Sequence, residues 1–490
     1  METHEIGSRR ELFVDDCLIG RMSDGAELRL HHPVPREVAF VTDEPWEGSQ
    51  CTNFTVFRDG DIYRMYYLAW DLDLENSSGW GDGLSTPHDM WMCYAESDDG
   101  LNWRKPELGL VEHEGSRANN IVWRGVGPEQ HGLKASAVFR DTHPDCAPGA
   151  RYKAVGSDRR SCQGHLYALG SPDGIHWSLL SEEPILRQGR DGKFDSQNLA
   201  FWDEMLGEYR IYVRQTGPAG REIATATSGD FLHWTETELL SYPGAPEEQL
   251  YINQIRPYYR APHIYLGFPA RYLEREWSPA IEDLPEPEHR RMRSDVHERY
   301  GTALTDGLFM SSRDGRTFRR WGEAFIRPGP QLTGNWAYSD NYQCWGMYET
   351  PSALEGAPPE LSFYATEGKW RGDAMWLRRY TIRIDGFVSL HAPRRGAEVL
   401  TDPLTFEGDR LELNFATSAA GSIRVEIRNA DGSPIDGFAL EDCHEVIGDE
   451  LDRAVRWKDD PHLADLSERP IRLRFVMEDA DLYSFRFREE

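Results

Sequence analysis

The 490-residue sequence predicts an all-β protein, a five-bladed β-propeller followed by a β-sandwich domain. Three observations support this fold class. A hairpin phrase recurs along the chain, and repeats at such spacing are typical of a supersecondary unit that is used several times. Short strand-like runs precede each copy of the phrase. The aromatic content of 12% suits a well-packed β protein.

The repeated phrase reads Ser-x-Asp-Gly-x-x-aromatic, with Phe231 in place of glycine in the third copy. An Asp-Gly pair between a strand and an aromatic residue indicates a hairpin, because glycine accepts positive φ and aspartate bonds the turn backbone. The four copies are Ser97–Trp103, Ser171–Trp177, Ser228–Trp234 and Ser312–Phe318.

Residues 1–390 are predicted to form the propeller, with four short strands in each of five blades. The segment 1–45 is expected to pack on the propeller or to help close it. A long insert at 271–306 carries the helix-like run Glu288–Arg299. The first strands of the blades are predicted at Cys51–Phe57, Ala135–Phe139, Asn198–Trp202, Tyr251–Tyr258 and Cys344–Tyr348.

Residues 391–490 show a different pattern of alternating strands and Gly-containing turns. A segment of about 100 residues with this pattern is typical of a β-sandwich. It carries no grouping of acidic or histidine residues, so we expect a structural appendage.

The composition limits the partners of the chain. The net charge is −29, with 83 acidic against 54 basic side chains, which argues against nucleic acid and anionic membranes as partners. No stretch is apolar enough to span a membrane, and the N-terminus lacks a signal-peptide pattern. Seven scattered cysteines without a CxxC pair favour a reduced, cytoplasmic chain. The sequence leaves open whether the chain forms a homo-oligomer.

Five predicted blades followed by a sandwich resemble the invertase/levanase glycoside hydrolases of family 32 and their family 43 relatives. The hairpin phrase also resembles the Asp box of sialidases, a structural hairpin on the face away from catalysis. The resemblance implies a glycoside hydrolase that uses two carboxylates on a small glycoside. In its motif positions this chain has Cys51 at the nucleophile, with Glu47 as the nearest upstream acid, Lys134 in the second motif and Asp195 in the acid/base motif.

Strand direction sorts the acidic residues between the two faces of the predicted propeller. The repeated hairpins and the turns after the first strands share one face, so Asp59, Asp141, Asp203 and Glu349 are expected to be turn residues. The segments that enter the first strands share the opposite face with the long loops. Ligands bind where loops converge on a rigid scaffold, so this second face is the predicted active face.

Three acids on the predicted active face are the candidate catalytic residues: Asp195 among short polar side chains, Glu47 beside Trp46, and Asp340 between Tyr338 and Gln343. We expect a pair of them to act across a sugar ring. No metal-binding motif or cofactor motif is present in the sequence. The candidate substrate-binding residues are Trp46, Asn198, Tyr251, Asn253, Arg271, Asp306, Glu367 and Trp370.

Two alternatives stay open. One is a phosphate-dependent glycoside phosphorylase resembling family 130, which would need one acid and a basic cradle for phosphate, with Lys134, Arg159, Arg160 and Arg271 as candidates. The other is a non-catalytic carbohydrate-binding propeller.

Overall fold

The structure is a computed structural model that describes residues 3–79, 83–125, 133–158, 164–187, 194–372 and 374–489. Strands hold 45% of the residues and helices 6%, so the predicted all-β class is confirmed. No helix within these ranges is long and apolar enough to cross a membrane.

The N-terminal segment is divided between two parts of the molecule. Its first four strands pair with strands from the C-terminal end of the chain, because Ile6, Phe13 and Leu18 are buried in the same core as those strands. Only the fifth strand pairs with a sheet of the predicted propeller. The five strands are β1 (His4–Gly7), β2 (Glu11–Leu12), β3 (Ile19–Met22), β4 (Glu27–Leu30) and β5 (Val34–Val41).

Three four-stranded antiparallel sheets follow in chain order. Sheet 1 contains β6 (Thr52–Asp59), β7 (Ile62–Ala69), β8 (Trp91–Ser97) and β9 (Ile121–Trp123). Sheet 2 contains β10 (Leu133–Arg140), β11 (Tyr152–Asp158), β12 (Leu166–Ser171) and β13 (Ser178–Leu179). Sheet 3 contains β14 (Leu199–Asp203), β15 (Glu208–Gly217), β16 (Gly220–Ser228) and β17 (Glu238–Leu239).

The fourth unit is split into two sheets along the length of its strands, because Pro269 interrupts its second strand and has no N–H for the ladder. The strands are β18 (Gln249–Leu250), β19 (Arg256–Tyr258), β20 (Ala261–Gly267), β21 (Ala270–Leu273), β22 (Leu304–Gly307), β23 (Met310–Ser312) and β24 (Arg319–Arg320). β18, β21 and β22 pair in one sheet, and β19, β20, β23 and β24 pair in the other.

The insert of the fourth unit contains three short helices, α1 (Pro279–Glu282), α2 (Pro287–Val296) and α3 (Glu298–Thr302). The helix predicted at Glu288–Arg299 is therefore interrupted at His297, which is extended with φ −160°. Pro287 begins α2 at a position where a missing N–H costs no hydrogen bond.

Sheet 5 combines β25 (Tyr348–Thr350), β26 (Glu360–Glu367) and β27 (Trp376–Arg383) with β5 from the N-terminus. β5 runs antiparallel to β27 and supplies the fourth strand. An early and a late part of the chain are thus joined in one sheet.

The first strands of the sheets meet at the centre. Val56 N donates to Trp345 O at 2.8 Å, which joins sheet 1 to the segment that leads into sheet 5. Gln254 Nε2 donates to Gln197 Oε1 at 2.8 Å and to Gln343 O at 2.6 Å. These contacts bring the first and last sheets together, and the line along which the glutamine side chains meet is named here the central axis.

The four repeated hairpins share one hydrogen-bond pattern. In the first, Ser97 Oγ accepts from Gly100 N at 2.9 Å, and Asp99 Oδ1 accepts from Leu101 N and Asn102 N at 2.8 Å each. The other three copies repeat these bonds. The aspartates are therefore committed to turns.

Three of the hairpins also join neighbouring sheets, because a tyrosine hydroxyl of one sheet donates to the hairpin glycine carbonyl of the next. Each glycine has positive φ, and a Cβ there would lie within 2.8 Å of the tyrosine ring or hydroxyl. The glycines are thus required by both conformation and contact. The pairs are Tyr66 with Gly174 at 3.0 Å, Tyr212 with Gly315 at 2.9 Å and Tyr348 with Gly100 at 2.9 Å.

Phe231 explains why the third hairpin departs from the pattern. In sheet 2, Val155 stands at the strand position that Tyr66 and Tyr212 occupy in sheets 1 and 3. Phe231 is fully buried at φ 69°, packs 5.2 Å from the Tyr209 ring, and supplies the ring that Val155 lacks.

Restoring the consensus glycine by Phe231→Gly is therefore expected to destabilise the protein. Glycine adopts this positive φ without strain, which gains about 1 kcal/mol. Deleting the buried phenyl ring, however, costs about 3–5 kcal/mol. Urea unfolding should show a net loss on the order of 2–4 kcal/mol. A variant as stable as the parent would show that Phe231 does not fill this space.

The C-terminal strands form a ten-stranded sheet with β1–β4. Its two long strands, β31 and β33, pair antiparallel over most of their length and carry alternating apolar residues into one core. The C-terminal strands are β28 (Val388–Ala392), β29 (Ala397–Thr401), β30 (Leu404–Phe406), β31 (Arg410–Asn429), β32 (Asp449–Ala454) and β33 (Ile471–Arg488).

Candidate active site

A cavity of about 80 Å³, named here the axial cavity, lies where the first strands of the sheets begin. The repeated hairpins lie at the other ends of these strands, as the pairing of Ser97 with Tyr63 shows. The axial cavity is therefore on the face that the strand-direction argument selects. Its wall includes Gln50, Asp195, Tyr251, Tyr338, Tyr342 and Lys369.

Asp195 supplies the carboxylate of the axial cavity. Its side chain is 45% exposed, and Oδ2 lies 3.0 Å from Arg214 Nη1. The same guanidinium nitrogen donates to Asp195 O at 3.0 Å, so Arg214 fixes both the backbone and the carboxylate. An exposed carboxylate on the cavity wall is able to accept hydrogen bonds from the hydroxyl groups of a ligand.

Asn198 shapes the loop that presents Asp195 and does not line the cavity. Its fully buried Nδ2 donates to Phe194 O at 3.1 Å and Ser196 O at 3.0 Å, and its Oδ1 accepts from Arg214 N at 3.1 Å. Asn253 has a similar place, with Nδ2 3.4 Å from Gln197 O. Both predicted substrate ligands are therefore positioned as supports of the central segments.

Tyrosine rings form the apolar part of the wall. Tyr338 donates a hydrogen bond to the Tyr251 hydroxyl at 2.8 Å, and the Tyr342 ring lies 5.4 Å from that of Tyr251. Among the described residues the buried Tyr342 hydroxyl has no well-formed hydrogen bond, although the Ser339 side chain interacts with it. Such a hydroxyl is available to a polar ligand.

Trp370 braces this wall from behind. Its ring packs 5.1 Å from Tyr338 and 4.4 Å from Tyr300 of α3, and the Arg293 guanidinium of α2 lies 5.3 Å from its centroid. The helical insert thus holds the aromatic wall, and Trp370, a predicted substrate ligand, contacts the protein itself and is 4% exposed.

Lys369 is the functional candidate that sequence reasoning missed. Its residue is 1% exposed, yet within the described part of the chain its ammonium makes no ion pair or hydrogen bond. Tyr342 provides its aromatic contact, with the centroid 5.4 Å from Nζ. Burial lowers the pKa of Lys369 to about 8. A buried cation on a cavity wall that forms no ion pair is available to a polar or anionic ligand.

The turn after β26 explains why Lys369 and not Glu367 reaches the cavity. Glu367 ends the strand and bonds outward, with Oε1 2.7 Å from Arg378 Nε and Oε2 3.0 Å from Trp376 Nε1. Gly368 then has φ 71°, which reverses the chain and directs the next residue inward. The only sequence signal was Gly-Lys-Trp in a predicted loop of the active face.

Asp340 lies buried beside the wall residues Ser339 and Lys369 but does not line the cavity. In the described structure neither carboxylate oxygen accepts a well-formed hydrogen bond from a side chain. Burial raises the pKa of Asp340 to about 7, although the Arg293 guanidinium lowers it. The group is therefore half-protonated near neutral pH.

The raised pKa of Asp340 predicts pH-dependent stability. The folded protein holds this proton up to about pH 7, whereas the unfolded chain releases it near pH 4. The free energy of unfolding of the parent should therefore fall as pH rises between these two values. Asp340→Asn has no such proton, so this part of the pH dependence should be absent in the variant. Between about pH 5 and about pH 7, the free energy of unfolding of the variant should rise relative to that of the parent by on the order of 2 kcal/mol. Parallel pH profiles in urea unfolding would contradict this assignment.

Glu47 is buried in an internal network and lies outside the axial cavity. Lys105 Nζ donates to its Oε2 at 2.7 Å, Glu44 N donates at 3.0 Å, and the Tyr67 hydroxyl bonds the other oxygen. Burial raises the pKa of Glu47. Trp46 Nε1 donates to Asn120 Oδ1 at 2.7 Å. The structure thus does not bring Glu47 and Trp46 together with Asp195.

Arg271 and Asp306 form a pair away from the cavity wall. The guanidinium holds both oxygens of Asp306, at 2.9 and 2.6 Å, and also contacts Glu248 at 2.9 Å. Burial raises the pKa of Asp306. Arg159 and Arg160 lie outside the described residues, as does the side chain of Lys134. No group of three His, Cys, Asp or Glu side chains suited to a metal ion occurs among the residues searched, those that the structure describes.

No protein-family model matches the chain, and no curated protein matches it. Solved structures do. An N-acetylgalactosamine deacetylase from F. plautii is similar at 13% identity and a TM-score of 0.45, over 72% of this chain and 94% of that one. An endo-arabinase from Bacteroides thetaiotaomicron is similar at 9% identity and a TM-score of 0.41, over 71% of this chain and 98% of that one.

A fructofuranosidase from Schwanniomyces occidentalis is similar over 92% of this chain and 96% of its own, at 12% identity and a TM-score of 0.40. The neighbours thus include glycoside hydrolases of several kinds.

Proposed function

We propose that the protein is a glycoside-cleaving enzyme, a glycoside hydrolase, that binds a small glycoside in the axial cavity. The observation that carries this proposal is one cavity wall that combines the Asp195 carboxylate, the Lys369 ammonium and the rings of Tyr251 and Tyr338. Aromatic faces pack on the apolar faces of a sugar ring, while charged groups bind its hydroxyls and the reacting oxygen.

Asp195 is the proposed proton donor. Its carboxylic acid gives a proton to the glycosidic oxygen while the bond from that oxygen to the anomeric carbon breaks. Water then adds to the anomeric carbon and gives its proton to the second carboxylate. Asp340 is the proposed second carboxylate, because it lies beside the wall and is half-ionised near neutral pH.

Phosphorolysis is the second candidate, and Lys369 favours it. A phosphate needs a cationic cradle, whereas hydrolysis needs a second carboxylate, and Asp340 lies beside the wall rather than on it. The wall has one carboxylate and one buried ammonium without an acid partner in the described structure. In this reaction phosphate replaces water as the nucleophile, and sugar 1-phosphate replaces the free sugar.

The proposed architecture supports this site. We propose that sheets 1–3, the fourth unit and sheet 5, within residues 1–390, are the blades of a five-bladed propeller around the central axis, and that residues 391–490 form a β-sandwich joined by the N-terminal strands. The support is the order of the sheets, the contact of Val56 with Trp345, and the completion of sheet 5 by β5.

A panel of aryl glycosides, each with and without inorganic phosphate, tests both candidates. Hydrolysis releases free sugar at a rate independent of phosphate, and phosphorolysis releases sugar 1-phosphate only when phosphate is present. Sugar binding without any released product across the panel would instead support a carbohydrate-binding protein and would reject both reactions.

A further inference from the structure

A second and larger cavity of about 660 Å³ lies at the other end of the central axis, and we name it the hairpin-face cavity. Its wall comes from the ends of the first strands, whereas the axial cavity is lined by their beginnings. In the first strand of sheet 1 and just before it, for example, Gln50 and Thr52 line the axial cavity, whereas Val56 and Phe57 line the hairpin-face cavity. The contacts of Gln197 and Gln254 lie between the two cavities. The two are therefore separate sites.

Arg256 points to a ligand in this second cavity. It begins β19, lines the cavity and is partly buried. Within the described part of the chain its guanidinium makes no ion pair and no hydrogen bond, and burial lowers its pKa. In a chain with 83 acidic and 54 basic side chains, a partly buried arginine that pairs with no carboxylate is unexpected.

Two of the three acids on the wall of the hairpin-face cavity, Asp141 and Asp203, are paired with other groups. Asp141 bonds Lys153 and accepts from the Tyr209 hydroxyl at 2.7 Å. Asp203 bonds the Tyr265 hydroxyl and lies 3.6 Å from Arg210. Neither carboxylate is left for Arg256, and the third acid of the wall, Glu204, is exposed and forms no ion pair with it in the described structure.

Other arginines on the same wall are engaged. Arg58 Nε donates to Gly60 O at 3.0 Å, and Arg140 Nη1 lies 3.1 Å from Asp59 Oδ1. Arg256 thus differs from its neighbours in having five N–H donors available in a planar fork. That fork matches a carboxylate or a phosphate group.

Aromatic and apolar residues form much of the remaining wall. Trp345 and Phe201 are buried at the base, while Tyr259 and Met205 are 47% and 58% exposed at the rim. A volume of this size takes a ligand with a ring rather than an isolated ion. Exposed apolar side chains around a polar anchor are typical of a ligand site.

We propose that the hairpin-face cavity is a second ligand site that binds a small organic anion, a ring that carries a carboxylate or a phosphate group, with Arg256 holding the anionic group. This site is distinct from the axial cavity and does not depend on the reaction proposed there.

Isothermal titration of the whole protein tests the proposal with two anionic probes, glucuronate and glucose 6-phosphate, and with glucose as the uncharged control. We expect at least one anion to bind more tightly than glucose, and Arg256→Met to weaken that binding by about tenfold or more. Arg256→Lys, which keeps the charge without the fork, should give an intermediate affinity. Comparing the two anions shows which group the site prefers.

Matched variants separate this site from the axial cavity. Arg58→Met removes an arginine of the same wall that is already bonded, and Lys369→Met removes the cation of the axial cavity, so both should leave the anion affinity within about twofold. Thermal unfolding should show Arg256→Met folded and no less stable than the parent, because a desolvated unpaired charge is lost.

Three results would overturn the proposal. They are unchanged anion binding in Arg256→Met, loss of anion binding in Lys369→Met with Arg256→Met unaffected, and no binding of either anion by the parent at roughly 10 mM. The second result would place the anion in the axial cavity.

Discussion

Asp195→Asn is expected to lower kcat/KM for any glycoside that the parent cleaves by about a thousandfold. The amide keeps the size of the side chain but cannot give a proton to the glycosidic oxygen, and positioned acid–base groups contribute about 10²–10⁴-fold to rate. The substitution also removes the ion pair with Arg214, and because the Asp195 side chain is 45% exposed, the free energy of unfolding should fall by about 1 kcal/mol or less. Initial rates and urea unfolding measure the two effects separately.

Asp314→Asn is the matched control for Asp195→Asn. Asp314 is also an exposed-loop aspartate, but its Oδ1 accepts from Arg316 N and Thr317 N in a repeated hairpin on the opposite face. This control should lose stability and keep its rate. If Asp195→Asn kept the parent's rate, Asp195 would not be the proton donor.

Lys369→Met is expected to make the protein more stable and less active. Lowering the pKa of a lysine from 10.5 to about 8 corresponds to a destabilisation of up to about 3 kcal/mol below pH 8. Methionine fills the same space without a charge, so urea unfolding at neutral pH should show a gain of that order. The loss of a cation that contacts the ligand should lower kcat/KM by roughly a hundredfold.

The stability gain of Lys369→Met should depend on pH in one direction. The folded pKa is depressed, so the penalty is fully present below about pH 8 and fades as pH rises toward the unfolded value of 10.5. The advantage of the variant should shrink over this range. A destabilised variant with unchanged activity would show that Lys369 serves packing alone.

The repeated hairpins made much of the fold predictable. Their spacing predicts a series of short sheets, and the prediction of an all-β chain is confirmed. The departure at Phe231 could not be explained from sequence, because its reason lies in a different sheet, where Val155 stands at the position that is tyrosine in sheets 1 and 3. The division of the N-terminal segment also depends on long-range pairing that no local pattern reports.

The sequence predicts on which face of the sheets the candidate site lies, but only some of the residues that line it. Strand direction places Asp195 and Tyr251 on the face of the axial cavity, where the structure has them. It cannot tell which way a loop side chain turns, so it favoured Glu367 over Lys369. It also gives no sign of Lys105, which holds the Glu47 carboxylate inside the protein.

A crystal structure of Asp195→Asn with its best glycoside is the most direct test of the central claim, that the axial cavity is the site of cleavage. We predict a sugar ring between Tyr251 and Tyr338, with the glycosidic oxygen within hydrogen-bond distance of residue 195 and a hydroxyl on Lys369 Nζ. A glycoside bound in the hairpin-face cavity, with the axial cavity empty of sugar, would contradict the claim.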